Sequence, residues 1–150
     1  VSALRSATTD GVIAGLLAFV PSGLPSTAHA LASGRDPLEA ARAAGTIVLP
    51  DDASTIALLA AAVPVHLSIS IGWGIVLSAI LPRRRTALWG AFAGTLIAAI
   101  DLSAAARLWP RVRALPQPAQ VADHIAFGAI VGVVVARRRA ARENLDGKEI

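Results

Sequence analysis

The chain contains no cysteine, methionine or tyrosine, and aromatic residues make up only 4% of its 150 positions. Without cysteine there can be no disulfide, no thiolate metal site and no thiol nucleophile. Charge is scarce as well, at 16% of residues against 55% hydrophobic, and the mean hydropathy is +0.62. A composition this apolar does not suit a soluble domain of the same length and points to a membrane protein. The few charges lean basic, with 14 Lys and Arg against 10 Asp and Glu. They sit in short clusters at the ends of apolar runs, the pattern of membrane topology, so no nucleic-acid partner is expected. No local catalytic or metal motif, such as His-Glu-x-x-His, is present.

Four apolar stretches have the length of about 20 residues that a bilayer core requires. They cover residues 11–31, 55–81, 87–108 and 121–136, and predict an all-α integral membrane four-helix bundle in one domain. Between the first two, Asp36-Pro37-Leu38-Glu39 followed by Gly45 has the spacing of a capped interfacial helix over residues 37–44. The connection from Pro110 to Pro118 is too short and proline-rich to predict an element, and the charged tail 140–150 is expected to fray. Arg5, Arg83, Arg84, Arg85, Arg137, Arg138, Arg139, Arg142 and Lys148 lie on one side, against Arg35, Arg42, Arg107, Arg111 and Arg113 opposite. That bias predicts that both termini lie in the cytoplasm. A competing reading of the start takes Arg5, the run Val12 to Val20 and Ala28-His29-Ala30 as a cleavable signal peptide; Asp10, which offsets Arg5, argues against it.

Each span aligns small residues with one ionisable side chain at helical spacing. The sets are Gly11, Gly15, Ala18, Ser22 and His29; His66, Ser70 and Gly74; Gly90, Gly94, Ala98 or Ile97, and Asp101; and His124, Gly128 and Gly132. Small residues spaced by four let helices approach closely in lipid, so the ionisable groups should point where helices meet. At 1.5 Å per residue His66 lies about 26 Å from Arg83 and His124 about 20 Å from Arg137. All four groups therefore fall in the outer half, and a polar vestibule open to the outside is expected there. Pro64 should bend the second span. The segment Pro21 to Thr27 should break the first, either as a kink healed by hydroxyls or with Ser26 or Thr27 capping a half-helix that faces an anion.

The Gly-x-x-Ala-Gly runs at Gly11 and Gly90, and the His-then-Gly runs ending in three arginines, suggest a duplicated two-helix hairpin. Ionisable residues in a span are functional candidates by default. His66, His124, Asp101 and His29 are the candidate metal ligands, for a transition metal or a haem. The same groups could carry protons in a small-solute transporter. Asp101 should pair with a protonated His66 or His124 or simply stay neutral, Asp123 should be solvated at a helix start, and Arg107 and Arg111 should reach headgroups or pair with Asp123. The leading expectation is nevertheless a structural or assembly component, with the bilayer and a homo-oligomer or membrane complex as partners; enzymatic activity ranks last. Leu24-Pro25-Ser26-Thr27 and Ala122-Asp123-His124-Ile125-Ala126-Phe127-Gly128 resemble segments of small bacterial inner-membrane proteins with four predicted spans. That resemblance implies location and span count, with no assigned chemistry.

Overall fold

The computed structural model describes residues 2–146, with side chains over 4–104 and 107–145, so Lys148 lies outside the described residues. Within them the chain is helical and has no strand. Its elements are α1 (Ser2–Ala18), a 3-10 turn (Pro21–Gly23), α2 (Leu24–Ala32), α3 (Glu39–Gly45), α4 (Thr55–Ile80), α5 (Thr86–Leu108), α6 (Pro110–Ala114) and α7 (Gln117–Asp146). Helices α4, α5 and α7 are long and apolar enough to cross a membrane, and α1 with α2 meet that standard together as a pair bent by 45°. The described count is therefore three, or four if the bent pair is one span.

Local chemistry explains the boundaries. At the break, the hydroxyls of Ser26 and Thr27 donate to the Gly23 carbonyl (3.2 and 2.8 Å) and Ser22 to that of Phe19 (3.4 Å). The Ser22 bond helps to heal the kink, because the Gly23 amide turns to the Val20 carbonyl at 3.2 Å and leaves that of Phe19 without its helical donor. Gly34, at φ +65°, ends α2, and the Arg35 amide returns to the Ala30 carbonyl. Ser54 caps α4 by accepting from the Ala57 amide at 3.2 Å. Helix α4 runs through Pro64 as one element. It stops at Ile80 because Pro82 pushes Leu81 into an extended conformation, ψ 131°.

Three expectations are corrected. Residues 110–114 do form a short helix, α6, with Pro110 at its first position, where its missing N–H costs nothing. The tail does not fray at residue 140: α7 continues to Asp146, since Ala136 stands where the second span has its helix-stopping proline. The capped helix begins two residues late, at Glu39. Asp36 accepts from the Leu38 amide at 2.8 Å, and Glu39 binds Arg35 instead of closing a capping box.

Helix α1 packs along α4, and α5 along α7; α7 also touches α1, α2 and α4. Small residues make both close pairs possible. A Cβ added to Gly74 would stand 2.4 Å from the Gly11 carbonyl oxygen, and one on Gly15 2.5 Å from that of Ser70. In the other pair, a Cβ on Gly128 would stand 2.0 Å from the Gly90 oxygen, and one on Gly94 2.1 Å from that of His124. Aligning Gly11 with Gly90 and Gly74 with Gly128 also aligns Ala14 with Ala93, Ala18 with Ile97, Trp73 with Phe127, Leu77 with Val131 and Leu81 with Val135. All ten of those residues belong to the same apolar cluster. The three arginines Arg83 to Arg85, just after α4, and Arg137 to Arg139, inside α7, fall in the same register.

Candidate functional site

The bundle has two polar ends separated by that apolar cluster. The loop end carries α2, α3 and α6. The terminal end carries the start of α1, the α4–α5 turn and the last turns of α7.

At the loop end, Asp101 of α5 is the hub. Its Oδ2 accepts from Trp73 Nε1 of α4 at 3.1 Å and lies 3.7 Å from His124 Nε2 of α7. The His124 Nδ1 sits 2.8 Å from the Gln120 carbonyl, one turn earlier on α7, which orients the ring toward Asp101. Carboxylate and imidazole are both partly exposed, at 31% and 23%. Three helices are thus tied through one carboxylate oxygen. The expected partner His124 is found. The Trp73 donor was missed, although an indole N–H in the middle of an apolar helix must find an acceptor, and it is the only tryptophan so placed.

Asp123 is not a solvated helix-start carboxylate. It lies one and a half turns inside α7 and its Oδ1 accepts from the Ser26 amide at 2.8 Å. The anion expected at the start of the half-helix is therefore this chain's own Asp123, at the amino end of α2, where helix N–H groups favour negative charge.

The four candidate ligands do not converge. His66 is exposed on α4 with its ring 5.3 Å from that of Phe19. His29 is exposed on α2 and lines a pocket of about 20 Å³ beside Arg35, Asp36 and Glu39. Among the described residues no group of three or more His, Asp or Glu side chains is close enough to hold a metal ion. The donor set thus does not fit the metal reading of His66, His124, Asp101 and His29. Facing alike along a helix did not suffice, because the helices meet at different levels.

The terminal end holds what the sequence reading passed over. Asp10 is 2% exposed, yet it accepts from Arg138 Nε and from Arg142 NH1, each at 2.7 Å. Arg139 donates to the Leu81 and Ser78 carbonyls at 3.0 and 2.9 Å, closing the carboxyl end of α4. Arg83 pairs with Glu143. From the sequence, Arg138, Arg139 and Arg142 stand out only as topology signals. The clue was Asp10 itself, a carboxylate immediately before the small-residue run that packs α1 on α4. Arg111 pairs with Asp51, donating to its carbonyl at 2.7 Å, and not with Asp123. An opening of about 580 Å³ lies at this terminal end, opposite to where the vestibule was expected.

Among the described residues the fold is all-helical, with three helices, or four if the bent pair is one span, long and apolar enough to cross a membrane. No family model matches the chain, and no curated protein or solved structure matches it.

Proposed function

We propose that the protein is a small four-span component of a bacterial cytoplasmic membrane, termini inside, whose role is structural or in assembly, and whose intramembrane polar groups are clamps between helices. The observation that carries this reading is how the carboxylates are engaged. Asp10 and Asp123 are each met by donors from the other hairpin, and Asp101 by one from each. Groups so committed hold helices together, and a polar contact between helices in a bilayer contributes about 1 kcal/mol. Between the two polar ends lie Ala18, Ile97, Phe127 and Val131, all buried, which supports a sealed interior over a proton or solute path. The terminal end carries most of the arginines, which supports its cytoplasmic placement.

The test compares stability with transport. In detergent, Asp101→Asn and His124→Ala should each lower the melting temperature, and in liposomes neither should remove a flux of protons or small ions present in the unsubstituted protein. A flux abolished by Asp101→Asn would replace the clamp with a carrier.

A further inference from the structure

The open cleft at the terminal end takes no part in that reading. It lies between the start of α1 and the ends of α4 and α7, and Arg83, Arg139 and Arg142 line it together with Asp10 and Glu143. The two carboxylates do not cancel the arginines. Asp10 is buried and already holds both Arg138 and Arg142, while Glu143 pairs with Arg83 at the rim, where both side chains are more than half exposed. An exposed pair of that kind contributes little and is readily exchanged. Arg139 uses its NH1 and NH2 groups on the Leu81 and Ser78 carbonyls respectively, which fixes its guanidinium at the cleft while a guanidinium has five N–H donors in all. Fixed guanidinium groups recognise phosphate oxygens well.

Depth narrows the ligand. The 26 residues of α4 span about 39 Å, more than the roughly 30 Å of a hydrocarbon core. With Arg83 to Arg85 directly following it, the carboxyl end of α4, and the cleft beside it, reach the level of the lipid headgroups in the membrane placement read above.

We propose that this cleft binds the phosphate group of an anionic lipid headgroup, with Arg83 and Arg139 as its ligands and Glu143 as the rim carboxylate that the phosphate displaces. The proposal rests on membrane insertion as read above. It is tested on the full chain, extracted in a neutral maltoside detergent, by native mass spectrometry and thermal melting with phosphatidylglycerol, phosphatidylcholine or inorganic phosphate added. Phosphatidylglycerol should be retained and raise the melting temperature, and phosphatidylcholine should not. Arg83→Gln should weaken that retention about fivefold, the worth of one basic residue near an anionic surface, and Glu143→Gln should strengthen it. If inorganic phosphate alone gives the same shift, and Arg83→Gln removes it, the phosphate site stands and its source is a soluble phosphate. Equal retention of the two lipids, or Arg83→Gln and Glu143→Gln acting in the same direction, overturns the site. Alkaline carbonate treatment of membranes separates the two readings: release of the chain sinks membrane insertion, whereas loss of lipid preference in a chain that stays in the pellet sinks only the phosphate site.

Discussion

The two hairpins, α1 with α4 and α5 with α7, share a steric pattern and differ in their polar groups. Within each hairpin, glycines let the backbones touch: Gly11 and Gly15 against Gly74 and Ser70, and Gly90 and Gly94 against Gly128 and His124. Between the hairpins the contacts include ion pairs and hydrogen bonds. Asp10 of the first is held by Arg138 and Arg142 of the second, Asp101 of the second by Trp73 of the first, and Asp123 of the second by Ser26 of the first. In the membrane setting proposed above, dispersion between close backbones makes a hairpin, since in lipid apolar side chains gain nothing by turning to each other. Directional polar bonds then fix how one hairpin sits on the other. The aligned positions show the division: Asp10 aligns with Trp89 and Asp101 with Ser22, so the first hairpin offers Asp10 at the terminal end and the second offers Asp101 and Asp123 at the loop end.

Breaking the steric half should have the largest effect. Gly128→Ala places a methyl against the Gly90 carbonyl and should destabilise the protein by about 3 kcal/mol, the upper range for overpacking. Gly74→Ala should do slightly less. Gly72→Ala, where a Cβ meets nothing within 4 Å, should be neutral or stabilising by up to ~1 kcal/mol. Melting in detergent ranks the three, and equal effects of Gly72→Ala and Gly128→Ala would sink the close-packing account. Next comes the terminal clamp. Asp10→Asn leaves two guanidinium groups facing an amide and should cost about 2 kcal/mol, below the value for a dry pair because Arg138 and Arg142 are 35% and 38% exposed. No change in melting would show that the ion pairs do not hold α1 to α7.

The loop-end clamp should be weaker. Asp101→Asn keeps an acceptor for Trp73 but loses the attraction to His124, and a double-mutant cycle with His124→Ala should return a coupling of about 0.6 kcal/mol. A coupling of zero would leave Trp73 as the working partner of Asp101. The smallest effect lies outside the hairpins, at Asp36. The Leu38 amide and then Arg42 hold its carboxyl below the usual range. A depressed folded value means this contribution is present above the ordinary carboxylate pKa and is lost as pH falls through the folded one. Asp36→Ala should therefore be slightly less stable than the parent at neutral pH, with the gap closing in acid; a gap that widens in acid would contradict it.

Several features were legible in the sequence because they depend on spacing alone. The small-residue registers of all four apolar stretches were, and Gly11, Gly15, Gly74, Gly90, Gly94, Gly128 and Gly132 all meet a neighbouring backbone. The break at Pro21 and its healing by hydroxyls were also foreseen, since a missing donor has few remedies. Convergence of His29, His66, Asp101 and His124 was not legible. Helical phase gives the face of a residue and not its height against the next helix, and only Asp101 and His124 come together.

The sequence by itself determined the helical class, the apolar lengths and the two glycine seams, and one residue, Pro82 against Ala136, decided that α4 stops where α7 continues. That continuation carries Arg142 one turn past Arg138, on the same face. Only the tertiary structure decided that this face meets Asp10, that Trp73 reaches Asp101, and that Ser26 presents its amide to Asp123. These contacts join residues on different helices, and their partners depend on how two preformed hairpins slide and rotate against one another, which no periodicity within a single helix records.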